Sequence, residues 1–97
     1  MVKKFKITLA QLNPTVGDLD GNYEAAVKAW KKAKEAGSDL VAFTELFITG
    51  YNTQDLIQKP SFYKVAQGKI EQLAKTCAKG PAIAIGGPAY IEKKLYN

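Results

Sequence analysis

The 97-residue chain contains no histidine, no arginine and only one cysteine. Without histidine, neither a Ser–His–Asp nor a Cys–His catalytic arrangement can form within the chain. The commonest transition-metal ligand is also missing, and one cysteine cannot build a cysteine-rich zinc site, so we expect no metal site. A single cysteine permits no internal disulfide, which fits a reducing compartment.

Long hydrophobic runs are also missing. No apolar segment approaches the ~20 residues that a membrane-spanning helix needs. The lysines near the start precede a short alternating segment rather than the long apolar core of a signal peptide. The hydrophobic content of 46% is ordinary for a globular protein, so we predict a folded protein. From the lack of both segments we predict that it is cytoplasmic and does not associate with membranes.

The positive charge comes from one residue type. The net charge is +5, and all 14 positive side chains are lysine. Recognition of guanine and bidentate binding of phosphate both favour arginine. The lysines are also scattered over the predicted outer faces of helices. We therefore attribute the charge to solubility and expect no nucleic-acid partner.

Two amphipathic helices are predicted. The first is capped by Asp20 or Asn22 and ends at Gly37. The second begins at Ser61, with Pro60 just outside it. Its apolar stripe consists of Phe62, Val65, Ala66, Ile70, Leu73, Ala74 and Cys77.

Three apolar segments, residues 3–12, 40–43 and 82–86, predict the strands of a sheet. The first and the third are expected to be central, the third because it is apolar on both faces. The intervening helices imply parallel neighbours joined by right-handed crossovers. Residues 89–91 and 95–97 are expected to add strands around a hydrophilic turn. The predicted class is α/β, with the order β-α-β-α-β.

A carboxylate, Glu45, stands just beyond the second strand. Open α/β sheets bind their ligands at the carboxyl ends of strands. The sequence neighbours Phe43, Leu46 and Phe47 are expected to strip Glu45 of water, which makes it a better proton acceptor. The same position also suits a helix-capping or lysine-paired carboxylate, and position alone favours that structural role over catalysis.

Residues 40–46 (LVAFTEL), followed by Thr49-Gly50-Tyr51, resemble the first catalytic motif of the nitrilase, or carbon–nitrogen hydrolase, superfamily. Within it, the chain is most similar to the amino-terminal glutaminase domain of the glutamine-dependent NAD synthetase family. The other matching segments are residues 7–18 (ITLAQLNPTVGD), Gly50-Tyr51 running into Asp55-Leu56, and residues 86–88 with 95–97. The chain departs from the family at Thr44, where proline is usual and would stiffen the approach to the glutamate.

This resemblance implies part of an αββα sandwich with its helices on the outer face. It makes residues 1–97 look like the amino-terminal portion of a single, incomplete domain. It also implies a Glu–Lys–Cys triad in which Glu45 is the general base and a cysteine forms a thioester. Tyr51 would lie near the amide pocket and contact substrate, although packing beneath the loop is the commoner role for such a side chain.

The lysine and cysteine of the triad are expected beyond Asn97. Cys77 lies on a packing stripe at a helix C-terminus, which does not lower a thiol pKa. Lys93 and Lys94 fall in a hydrophilic turn before the Leu-Tyr-Asn segment, whereas the lysine of the family follows that segment. We therefore expect none of these three residues to be catalytic.

The intact protein implied by the resemblance is a glutamine amidohydrolase that supplies ammonia to a synthetase domain. That domain uses ATP and Mg²⁺, and family members form homo-oligomers. The 97-residue chain, with no cofactor of its own, is expected to be inactive alone. Two alternatives stay open: another superfamily amidase, such as an omega-amidase or carbamoylase, and a non-catalytic α/β assembly module, because exposed strand edges favour pairing.

Overall fold

A computed structural model describes residues 4–51, 53, 56, 58–91 and 94–96. The elements in chain order are β1 (Ile7–Ala10), α1 (Leu19–Glu35), β2 (Leu40–Phe43), α2 (Pro60–Thr76), β3 (Ala82–Ala84), β4 (Ala89–Ile91) and β5 (Lys94–Tyr96). The first three strands form a parallel sheet in the order β1-β2-β3, and β4 pairs with β5 antiparallel. The predicted parallel α/β arrangement is confirmed.

The position of the strands corrects one expectation. Within the described residues β2 is the middle strand, and β1 and β3 flank it. The prediction that the first and third strands are central is therefore wrong for this part of the chain. Their apolar residues have a different explanation, which lies in the two faces of the sheet.

One face of the sheet packs against both helices. Ala10 and Val41 are buried on this face, and Phe43 and Ile83 are partly buried against the same core. The helices contribute Tyr23, Ala26, Val27, Trp30, Ala33, Ala66, Leu73 and Cys77 to that core. The indole Nε1 of Trp30 donates a hydrogen bond of 2.9 Å to the Pro81 carbonyl, which ties α1 to the start of β3.

The opposite face of the sheet is apolar and open. Ile7 pairs with Leu40, which pairs with Ala82. Two residues further along each strand, Leu9 pairs with Ala42, which pairs with Ala84. Ile7 is 51% exposed and Leu9 is 68% exposed. The strands are therefore apolar on both sides. Within the described residues, helices cover only one of those sides.

The first helix begins differently from the prediction. Its N-cap is Asp18, whose Oδ1 accepts a hydrogen bond of 3.0 Å from the Gly21 N–H. Asp20 instead forms a 2.6 Å ion pair with Lys69 of α2. Asn22 is buried and serves neither as a cap nor as a surface residue. The end of the helix is as predicted, because Gly37 adopts a φ of 76° directly after the capping residue.

The second helix begins one residue earlier than predicted. Pro60 occupies its first turn, where a fixed φ suits a helix and the missing N–H costs nothing. The buried stripe is also rotated, because Tyr63 is buried whereas Val65 is 50% exposed. Neither helix in the described part of the chain combines the length and the apolar character needed to cross a bilayer.

Candidate active site

Glu45 lies two residues beyond Phe43, the last residue of β2, which is the middle strand of the parallel sheet. It opens a turn that spans residues 45–49. The loops that follow β1 and β3 leave the same edge of the sheet, because all three strands are parallel. Glu45 therefore stands at the sheet edge where α/β proteins place their ligands.

The expected desolvation of Glu45 is not found in this chain, because the residue is exposed. Two of its apolar sequence neighbours, Phe43 and Phe47, pack in or against the core instead. Phe47 is fully buried, and its ring lies 4.9 Å from that of Phe43 at an interplanar angle of 54°. Neighbours in sequence therefore do not bury the carboxylate here.

The turn that carries Glu45 is anchored by its second half. Phe47, Ile48 and Thr49 have no exposed surface. The Thr49 hydroxyl lies 3.2 Å from the Leu46 carbonyl and 3.3 Å from the Gly50 carbonyl, both of which accept from it. Leu46 has a φ of 51°, a left-handed conformation that is uncommon for a residue with a side chain. The buried second half of the turn thus supports the exposed carboxylate at its start.

The loop after β1 packs directly on this turn. The Gly17 N–H donates a 2.9 Å hydrogen bond to the Thr49 carbonyl. Gly50 has a φ of 80°, and a Cβ built on it would stand 2.6 Å from the Cα of Val16. Glycine is required at this position both by its backbone angle and by the close approach of the two backbone segments.

The end of β3 reaches the turn from the other side. A Cβ built on Gly86 would lie 2.6 Å from the backbone nitrogen of Leu46 and 3.5 Å from the Cα of Glu45. In the sequence, Gly86 is the last residue of a predicted strand and the first residue of a segment that resembles the family. The close approach to the Glu45 turn is a site feature that a sequence pattern cannot reveal, because it depends on which loops meet.

Tyr51 is 65% exposed and follows Gly50 at the end of the turn. The commoner role considered for it, packing beneath the loop, is therefore wrong in this chain. Asn13, in the loop after β1, is exposed as well. Both side chains lie in segments that leave the carboxyl edge of the sheet.

Cys77 is a buried packing residue, as predicted. It caps the carboxyl end of α2 and is 8% exposed. Burial raises the pKa of its thiol, and the charge of Lys31 offsets this only in part. A neutral thiol is a poor nucleophile, so Cys77 has the opposite of the environment that a catalytic cysteine needs.

The remaining candidates are settled only in part. Lys94 is exposed and belongs to β5 rather than to the predicted turn. Asp55 and Lys93 lie outside the described residues. Among the residues that the structure describes, no group of three acidic, cysteine or histidine side chains could hold a metal ion.

Comparison with known proteins identifies the family. The model of the carbon–nitrogen hydrolase family matches residues 6–97. The chain belongs to the carbon–nitrogen hydrolase family. Its sequence is 52% identical over 97 residues to a glutamine-dependent NAD(+) synthetase from Rhodobacter capsulatus, covering all of this chain and 18% of that protein.

Solved structures agree with this family assignment. The fold matches a glutamine-dependent NAD+ synthetase from Acinetobacter baumannii, solved with ADP, at a TM-score of 0.90 and 32% identity, over 98% of this chain and 18% of that one. The synthetase from Cytophaga hutchinsonii gives the same TM-score at 27% identity, with coverage of 98% and 16%. The chain thus has a nitrilase-like α/β fold and spans less than a fifth of the length of these carbon–nitrogen hydrolase relatives.

Proposed function

We propose that this chain forms the amino-terminal part of the glutamine amidohydrolase domain of a glutamine-dependent NAD synthetase, with Glu45 as general base. The observation that carries the proposal is the position of Glu45. It follows the middle strand of a parallel sheet, on a turn that the loops from both neighbouring strands contact. The similarity to NAD synthetases over the whole chain supports the choice of reaction.

In the proposed reaction, the Glu45 carboxylate takes the proton of a cysteine thiol. The thiolate attacks the side-chain amide carbon of glutamine, and the C–N bond breaks to give a thioester and ammonia, which receives the proton. A lysine stabilises the negative charge that develops on the amide oxygen. Water then hydrolyses the thioester to release glutamate. The cysteine and the lysine would come from parts of the protein outside this chain.

The open face of the sheet fits this incomplete site. In the proposed αββα sandwich, a second sheet would cover the exposed side chains of Ile7 and Leu9. The same layer would stand over the carboxyl edge of the sheet and enclose Glu45, which is exposed here. Exclusion of water would strengthen each electrostatic interaction in the site.

We assign Tyr51 to substrate binding. It is exposed, it follows the Glu45 turn directly, and its hydroxyl can donate to or accept from an amide. ATP and Mg²⁺ belong to the proposed synthetase domain, and the described residues offer no metal cluster of their own. For the whole protein we propose a cytoplasmic homo-oligomer.

The proposal is tested by measuring ammonia release from glutamine by the full-length protein and by the 97-residue chain. We expect the full-length protein to hydrolyse glutamine and to use the ammonia for NAD formation with ATP. The isolated chain should release no ammonia above the uncatalysed rate, because it supplies only one of the three catalytic groups.

Two results would contradict this assignment. Hydrolysis of a carbamoyl compound or another amide in preference to glutamine would make the protein a different amidase of the family. Enzymatic ammonia release by the 97-residue chain alone would show that its site is complete without the proposed cysteine and lysine.

A further inference from the structure

Asn22 is a buried amide whose hydrogen bonds all lead away from its own helix. It is 3% exposed, although it lies in the first turn of α1. Its Oδ1 accepts a 3.0 Å hydrogen bond from the Thr15 N–H. Its Nδ2 donates to the Thr15 carbonyl at 2.9 Å and to the Ile48 carbonyl at 3.0 Å.

These bonds join two segments that the sheet alone does not connect. Thr15 belongs to the loop after β1, and Ile48 belongs to the turn that Glu45 opens. The Asn22 side chain therefore links the two loops through a residue of a third element. The helix does not need Asn22 as a cap, because Asp18 already performs that role.

The link acts on the buried part of the turn. Ile48 has no exposed surface, and the neighbouring Thr49 carbonyl accepts from Gly17 in the loop after β1. A buried amide is tolerated only when it is hydrogen-bonded, so its bonds resist any displacement of Ile48. Ile48 is three residues from Glu45 on the same turn, and a displacement there would be passed on to the carboxylate.

We propose that Asn22 is a positioning residue for Glu45: its amide holds the Glu45 turn against the loop after β1 and so fixes the place of the general base. This inference rests on the proposed function of Glu45. A misplacement of a catalytic group by about 1 Å costs on the order of 100-fold in rate. Loss of the amide is thus expected to lower kcat rather than substrate binding.

The test compares variants of the full-length protein. Asn22→Asp keeps the size of the side chain and an acceptor for the Thr15 N–H but removes both donated bonds. Asn22→Ala removes all three. Tyr23→Phe is the matched control, because it removes the 2.7 Å bond between the Tyr23 and Thr76 hydroxyls from the next position of the same helix, on the side of α2.

For each variant we would measure kcat and KM for ammonia release from glutamine, together with NAD formation from added ammonia. The second reaction bypasses Glu45 and reports whether the proposed synthetase domain is intact. Both Asn22 variants should lose about 10- to 100-fold in kcat, with KM and ammonia-driven synthesis unchanged. Tyr23→Phe should keep its kcat.

Three outcomes would overturn the proposal. The Asn22 variants could match Tyr23→Phe in kcat. They could show a raised KM with an unchanged kcat. They could lose ammonia-driven synthesis in the same proportion as glutamine hydrolysis, which indicates general misfolding. Glu45→Gln, measured in parallel, separates the two ideas. If it is inactive while the Asn22 variants are unaffected, only the positioning role fails; if it is fully active, the general-base assignment fails as well.

Discussion

Replacing Gly86 with alanine would press on the Glu45 turn from the side of β3. The new Cβ would stand 2.6 Å from the Leu46 nitrogen and 3.5 Å from both the Cα and the carbonyl carbon of Glu45. Gly86 has a φ outside the left-handed region, so its backbone angles suit alanine and the close contact is the main cost. Restoring an ordinary separation of ~3.5 Å requires a shift of about 1 Å.

The turn cannot make this shift freely. Phe47, Ile48 and Thr49 are fully buried, and Gly50 lies against the backbone of Val16 on the far side. Overpacking of this kind typically costs about 1–3 kcal/mol in free energy of unfolding. A displacement of about 1 Å at Glu45, the proposed general base, is expected to lower kcat on the order of 100-fold.

Gly68→Ala is the control. Gly68 lies within α2, and a Cβ built on it meets no heavy atom within 4 Å. Alanine should therefore stabilise the helix by about 0.5–1 kcal/mol and leave kcat unchanged. Thermal unfolding and the rate of ammonia release from glutamine would be measured for both variants of the full-length protein. Wild-type kcat in Gly86→Ala would refute the argument that β3 fixes the position of the Glu45 turn.

Two further variants test the roles of Cys77 and Trp30. Cys77→Ala should leave the glutamine-hydrolysis rate unchanged, and a large loss would show that Cys77 takes part in catalysis. Burial raises the pKa of the Cys77 thiol. The contribution of this thiol to stability is therefore present below the ordinary thiol pKa and is lost as pH rises through the raised value. Cys77→Ala should flatten this decline in stability above about pH 8.5 in denaturation curves. Trp30→Phe leaves the Pro81 carbonyl without its indole donor and should cost about 1–3 kcal/mol in denaturant unfolding, with kcat unchanged.

The sequence predicted the framework of the fold because local patterns determine it. The run at residues 40–43 is short, apolar and bounded by polar residues, and β2 has those bounds. The alternation of strands with helices correctly predicted parallel pairing. The order of strands was harder, because apolar residues on both sides of β1 and β3 do not distinguish a central strand from a flanking strand with an uncovered face.

The candidate site was predictable in position but not in detail. The strand end and the family motif located Glu45, yet its exposure depends on a turn in which Leu46 takes a left-handed φ and Phe47 enters the core. The role of Asn22 was missed because Asn22 and Asp20 both suit a helix cap by residue type, and only the folded chain shows that Asp18 caps the helix. The contact of Gly86 with the turn likewise depends on tertiary structure.

The role of Glu45 is tested by measuring glutamine hydrolysis by the full-length protein carrying Glu45→Gln. The amide side chain introduced by this substitution keeps the size of the glutamate side chain but cannot accept the thiol proton at neutral pH. We expect a loss of about 10²–10⁴-fold in kcat for glutamine, while NAD formation from added ammonia continues at the wild-type rate. Hydrolysis of glutamine at the wild-type rate would contradict the assignment of Glu45 as general base.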